Sequence, residues 1–177
     1  MPPSLTLSSD VLGWARTAQY VTTIADDGDI QLRSEAGAPT RYFIRRRGPD
    51  RLELTHAADG DAEQPMLFVA RLDVLERYLI TLFADDIRED LDLPFLELPY
   101  STRDLARGYT VSELVRGYRT LLHAGTGPVA AAPDPTLSLL TLVPLSHCLG
   151  WSLSELKRAF LDPDGAPLLR RGCYGSR

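Results

Sequence analysis

The sequence predicts an α+β chain: an N-terminal helix, a five-strand antiparallel meander covered by a long buried helix, then a β-hairpin and two further helices. Three observations carry this. The apolar period switches from about 3.6 residues, a helix, to about 2, a strand, and back. The strand-like runs follow one another across short turns, as antiparallel pairing allows and parallel pairing does not. The chain has 177 residues, 44% apolar and 24% charged, which suits a folded domain with a sizeable core.

The elements follow in order. Ser8, Ser9 and Asp10 offer N-caps ahead of Val11, Leu12, Trp14, Ala15 and Ala18, which predicts a short amphipathic helix over about residues 9–19. Tyr20 to Ile24 is β-branched and aromatic, a strand. Asp26-Asp27-Gly28-Asp29 is a turn with Gly28 in the left-handed position. Ile30 to Ser34 alternates. Gly37-Ala38-Pro39 breaks the chain, and Arg41 to Arg45 makes a third strand. Gly48-Pro49-Asp50 turns it into Arg51 to His56. Ala57 to Pro65 is an acidic loop, and Met66 to Ala70 is the fifth strand.

Asp73-Val74-Leu75-Glu76 reads as a capping box. Leu75, Tyr78, Leu79, Leu82, Phe83 and Ile87 then share one wide helical face, so this helix is buried on more than one side and runs to about Asp90. Its last turn sets Asp85, Asp86, Glu89 and Asp90 against Arg88 alone. Acid opposes the dipole there, which makes that end a candidate for a role other than stability. Residues 92–107 form a Pro- and Leu-rich connector that packs on the core. Tyr118 to His123 and Val129 to Ala132, joined by a glycine-rich turn, form a hairpin. Leu137 to Leu149 is helical, Ser152 and Glu155 cap a helix to about Leu161, and Asp162 to Gly165 is a turn. The tail from Arg170 is frayed. The division is residues 1–91, the connector 92–107, and 108–177, the last part sharing one core with the first.

Many chemistries are excluded. Eighteen arginines and one lysine, Lys157, meet 24 acids, for a net charge of -5, which argues against nucleic acid as a partner. No nucleophile elbow, phosphate loop, dinucleotide fingerprint, zinc-protease motif or Cys-x-x-Cys occurs. Three histidines and two cysteines leave metal and redox sites short of ligands, so neither a metal nor a cofactor is expected. Ser146, His147 and Cys148 are sequence neighbours on a helix and point about 100° apart, so they are read as a core cysteine beside a half-buried histidine. His56 and His123 read as turn histidines. Cys148 and Cys173 are expected to be reduced thiols. No stretch reaches the ~18 apolar residues of a membrane span, and the N-terminus lacks a basic segment followed by an apolar one, so a cytoplasmic protein with no membrane partner is expected.

The charges are segregated. Residues 26–29 and 57–65 each carry a net -3 and residues 85–97 a net -5, against +4 over residues 41–51. That arginine cluster either neutralises acids across the sheet or faces a partner separately. Segregated charge with no nucleophile–base pair suits a protein that steers toward another macromolecule, not an enzyme.

Arg41-Tyr42-Phe43-Ile44, the polar loop Asp59 to Gln64, and Leu75 to Leu79 with Leu82-Phe83 and Ile87-Arg88 resemble the immunity protein 61 family. Gly108 to Val111, Leu145-Ser146-His147 and Phe160 to Gly165 are similar to that family's second half, so the resemblance spans about residues 8–168. These are antitoxins of NAD glycohydrolases of the tuberculosis necrotizing toxin type. The resemblance implies a cytosolic inhibitor that binds the secreted toxin's catalytic domain and shields its NAD-binding cleft. It carries over no catalytic residue. A cleft that holds a pyrophosphate is locally positive, so an acidic plug is expected. Asp59, Gly60, Asp61, Glu63 and Gln64 are the candidates, with Asp26 and Asp27 as a further acidic contact, and Tyr42 or Phe68 as aromatic anchors. The alternative is a secretion chaperone that binds an unfolded export substrate. An unrecognised hydrolase ranks third.

Overall fold

In the computed structural model, which describes residues 5–36 and 39–175, Ser8 caps the first helix, α1 (Ser9–Thr17), by accepting from the Val11 amide. Gly37 and Ala38 of the expected chain break, and residues 1–4 of the N-terminus read for targeting, lie outside the described residues. Val11, Trp14 and Ala15 are buried, and the Trp14 indole donates to the Ile80 carbonyl at 2.9 Å. Gln19, at a φ of 63°, then reverses the chain into the sheet.

Five strands follow as a meander: β1 (Tyr20–Ile24), β2 (Ile30–Ser34), β3 (Arg41–Gly48), β4 (Arg51–Ala57) and β5 (Gln64–Val69). Gly28 has a φ of 86°, the conformation the first turn demands. The second half adds β6 (Tyr109–Val111), β7 (Tyr118–His123) and β8 (Gly127–Pro133). The hairpin predicted there does not stand apart. Its β8 pairs antiparallel with β5 through Phe68↔Ala131 and Val69↔Ala130, which makes one eight-stranded sheet in the order β1-β2-β3-β4-β5-β8-β7-β6.

Strand alternation sorts the faces. Ile30, Leu32, Ile44, Leu54, Leu67, Val69, Leu121, Ala130 and Ala132 are buried and belong to one core cluster drawn from both halves. The long helix α2 (Leu72–Asp90) lies on this face, with Leu75, Leu79, Phe83 and Ile87 buried. The helix α3 (Leu137–Cys148) packs on β7 and β8, where small alanines allow close approach, and α4 (Leu153–Leu161) packs on α2 and α1. The double-sided burial expected of α2 follows from this layering. Ser152 and Glu155 form the capping box predicted for α4.

The box predicted at Asp73 does not form. The helix starts two residues earlier, behind an Arg71 N-cap with no side-chain bond, because both partners are committed elsewhere. Arg71 grips the Asp73 carboxylate, and Glu76 accepts from the Ser8 amide at 2.6 Å. Glu76 thus ties the start of α1 to α2.

Arg88, the lone cation in the acidic last turn of α2, is 2% exposed and spends all five N–H donors on carbonyls. It reaches Pro94 in the connector twice, Phe160 and Asp162 at the end of α4 at 2.7 Å each, and Pro163 at 2.9 Å. Phe160 lies in the last turn of α4, so the guanidinium satisfies an orphan carbonyl and complements that helix's dipole.

The tail also differs from the expectation. Instead of fraying, β9 (Leu169–Arg170) pairs with β10 (Cys173–Tyr174). Tyr174 stacks on His147 at 3.6 Å between ring centroids and donates to the Pro99 carbonyl at 2.8 Å. His147 Nε2 contacts the Asp104 carbonyl at 2.6 Å, and the Ser146 hydroxyl accepts from the Ala106 amide at 3.0 Å. Connector, tail and α3 are thereby strapped together. Cys148 is buried and Cys173 exposed, and both are free thiols.

Two outcomes follow. Arg88→Leu leaves four carbonyls without their donor, so a loss of about 4 kcal/mol is expected, read in urea melts and as a drop of about 10 °C in Tm. His147 is pushed down from 6.5 by burial, against an opposing hydrogen bond to Asp104. A depressed histidine favours the fold where it is neutral. Its contribution is therefore complete above pH 6.5 and is lost as the pH falls toward the lowered folded value. His147→Gln should flatten that part of the stability–pH curve, as urea melts at stepped pH will show.

Candidate functional site

The β4–β5 connection, residues 58–63, is exposed throughout. The Asp61 amide donates to the Ala58 carbonyl at 3.1 Å, and Gly60, third in that turn, has a φ of 80°. Such a turn requires a left-handed residue there, and glycine supplies it without a side chain that would broaden the tip. Among the described residues, the carboxylates of Asp59 and Asp61 have no side-chain partner. Gln64, also exposed, begins β5 opposite His56.

Glu63 behaves differently from its neighbours. Its carboxylate takes two bonds from Arg45, at 2.5 and 2.9 Å, and one from the Thr55 hydroxyl at 2.8 Å. The Arg45 guanidinium, aided by Thr55 and opposed by burial, holds the Glu63 carboxyl down at about 2. The same guanidinium bonds Asp29 at 2.9 Å and lies 4.9 Å from the Phe43 ring. Thr55 is buried beneath this hub. Of the two alternatives foreseen for the arginine cluster, neutralisation is the one seen. Arg45 and Arg47 neutralise Glu63, Asp29 and Glu53 across the sheet. Arg51 instead lies over the Phe68 ring at 4.5 Å.

The sheet sorts the remaining candidates. In an antiparallel meander successive connections alternate ends. Asp26 and Asp27 sit in the β1–β2 turn at one end and Asp59 to Gln64 follow β4 at the other, and Arg45 links the two acidic runs by bonding Asp29 of the first and Glu63 of the second. Within the first turn, Asp27 accepts from the Asp29 amide. Tyr42 packs on Tyr20 and Phe83 and belongs with the core. Phe68 stands on the opposite face, against Tyr118 at 5.7 Å. With Arg51, Pro128, Val129 and Ala131 these rings line a shallow hollow of about 450 Å³.

Arg51 and Tyr118 were not among the residues expected at the site. Strand parity could have found them: Phe68 lies between the core residues Leu67 and Val69, so it must face outward, and so must its cross-strand neighbours. Neither histidine read as a turn residue lies in a turn: His56 is in β4 and His123 ends β7, where it accepts from the Gly125 amide of the turn that follows at 3.2 Å. Cys148 is fully buried, and burial pushes its thiol up to about 11, the state of an inert core cysteine. Among the described residues no group of three or more His, Cys, Asp or Glu is arranged to hold a metal ion, and no single helix is long and apolar enough to cross a membrane.

Comparisons with known proteins agree over nearly the whole chain. The family model described as immunity protein 61 matches residues 14–168. A protein of Mycobacterium tuberculosis (strain ATCC 25618 / H37Rv) named "Immunity factor for TNT" is 30% identical over 173 residues, 92% of each chain. An "Immunity factor for TNT homolog" of Mycobacterium bovis (strain BCG / Pasteur 1173P2) matches equally. The solved structure of "Rv3902c from M. tuberculosis" superposes with a TM-score of 0.81 at 26% identity, covering 95% of this chain and 96% of that one.

Because Arg45 keeps Glu63 ionised, Arg45→Met should return the Glu63 midpoint from about 2 toward the ordinary 4.5, measured by carboxyl NMR titration. The sign follows. A depressed carboxyl stabilises the fold above pH 4.5, and this contribution is lost as the pH falls through about 2. The variant should therefore lose stability at neutral pH and show a shallower acid decline.

Proposed function

The chain belongs to the immunity protein 61 family, and on that premise we propose that it is a non-enzymatic antitoxin. It binds the catalytic domain of a secreted NAD-degrading toxin in the cytoplasm of the producing cell and blocks the NAD-binding cleft.

The observation that carries the reading is the β4–β5 tip. It is a narrow turn with two carboxylates that have no side-chain partner among the described residues, standing on a base that Arg45, Glu63 and Thr55 hold fixed. A cleft that receives a dinucleotide must attract two phosphate charges in an extended ligand. Asp59 and Asp61 offer two charges on a slim support and match that demand without a cofactor. A fixed base loses little conformational entropy on binding, which favours tight association. Gln64 extends the polar edge with an amide that both donates and accepts. Farther along β5, Phe68 with Tyr118 and Arg51 supplies the aromatic and arginine composition typical of binding hot spots, about four residues or ~13 Å from Gln64. Asp26 and Asp27, at the other end of the sheet, serve as a steering charge rather than part of the plug.

The test is NAD consumption by a purified toxin catalytic domain of this type, with and without the full chain. Wild-type chain should abolish turnover. Asp59→Lys with Asp61→Lys should weaken inhibition about 100-fold, since like charges brought together cost several kcal/mol. Thermal melts should hardly move, because both positions are exposed. Undiminished inhibition by the double variant rejects the loop as the plug. Absence of inhibition by the wild-type chain, with binding only to unfolded toxin, would instead favour an export chaperone.

A further inference from the structure

The helical side of the molecule carries a second feature that toxin blockade does not use. A groove of about 430 Å³ runs between α2, α3 and the connector. Fourteen residues line it, and none is Lys, Arg or His, in a chain with 18 arginines. Its charges are two carboxylates, Asp85 and Glu97. The nearest cation on α2, Arg88, has every donor committed to carbonyls.

The walls are apolar and open. Phe95 is 76% exposed, Tyr100 43% and Leu140 42%, so three of the large exposed apolar side chains meet at one place. Such clustering on a folded chain marks an interaction site. Pro144, inside α3, adds to the acceptor surplus. It lacks an N–H, so the Leu140 carbonyl loses the donor that residue 144 would otherwise supply, and both residues line the groove. Burial, reinforced by the neighbouring Asp86 and only partly offset by Arg88, pushes the Asp85 carboxyl above its usual range, an imbalance that a bound cation relieves.

We propose that this groove docks a segment of a partner protein in which a lysine or arginine sits between apolar side chains. The apolar neighbours cover Phe95 and Leu140, and the cation meets Asp85 and Glu97, a charge match the protein leaves open on one side only. The proposal is independent of the toxin-inhibition reading, because the groove lies on the layer opposite the face of Phe68 and Tyr118.

Panning a phage library of random twelve-residue peptides on the immobilised full chain tests it, with counter-selection on Phe95→Ser/Leu140→Ser. Enriched peptides should carry Lys or Arg flanked by apolar residues. As synthetic peptides they should bind the double variant at least tenfold more weakly and Asp85→Asn several-fold more weakly, and exchange of their basic residue for Glu should abolish binding. Thermal melts confirm that the variants fold, and Phe95→Ser alone serves if the double variant does not. Enriched peptides lacking a basic residue, or binding that ignores the substitutions, overturn the proposal. So does wild-type self-association that the substitutions abolish, which would make a second copy the occupant. Toxin neutralisation by the same variants is read separately in the NAD assay, so its failure bears on the antitoxin function and not on the groove.

Discussion

The structure depends on a buried cation whose hydrogen bonds all go to carbonyls. Arg88 is brought into the interior by the stripe of α2 that also buries Leu75, Leu79, Phe83 and Ile87. Stripping water from a guanidinium is costly, and burial lowers the pKa of this one. It is tolerated because each N–H finds a carbonyl: Pro94 from the connector, Phe160 and Asp162 from the end of α4, Pro163 from the turn beyond. A carbonyl has no charge of its own to desolvate, so the cation is solvated by dipoles that the fold must in any case satisfy. The consequence is geometric. The connector six residues beyond Arg88 and the end of α4 more than seventy residues beyond it must arrive together, or five donors and four acceptors are stranded at once. This fixes the connector against α2 and closes the molecule around α4.

What the sequence made legible was local. Ser8 as a cap, Gly28 as a left-handed turn, the α2 stripe and the Ser152–Glu155 box all depend on residues within a few positions of one another. What stayed hidden was decided by partners far away. Asp73 and Glu76 have the spacing of a capping box, yet Arg71 claims one and the Ser8 amide the other. Cys173 and Tyr174 lie in a glycine-rich tail and still form a strand, because His147 and Pro99 receive the tyrosine. Arg88 read only as the lone cation among the acids of that turn. Its burial could be inferred only from the helical face it shares with Ile87 and Ala84. The β5–β8 pairing that unites the halves has a contact distance of some sixty residues and no local signature.

The same distinction applies to the candidate site. The acidic loop was visible as composition, and Gly60 as the residue that shapes its tip. Composition could not separate Glu63 from Asp59 and Asp61, although the three differ physically. Glu63 is part of the scaffold, ion-paired and hydrogen-bonded, whereas among the described residues Asp59 and Asp61 have no side-chain partner. Nor could charge alone show that Asp26 and Asp27 occupy the opposite end of the sheet. Counting strands would have shown it, since each antiparallel connection changes ends.

Segregated charge therefore has two meanings in this molecule. Where Arg45 meets Asp29 and Glu63, opposite runs of sequence fold onto one another and cancel, and the result is rigidity. Where Asp59 and Asp61 project from that rigid base, the charge is left uncancelled, held in place by the pairs behind it. An inhibitor needs both. A free acidic loop on a mobile base would lose entropy on entering a cleft, and a fully paired one would present no field to enter it. Replacing Arg45 would thus reach the tip indirectly: Asp59 and Asp61 would keep their charges while the strand ends that aim them lost their common anchor. On the function proposed above the hub is a positioning device, and the net charge of -5 matters less than which charges the fold leaves unpaired.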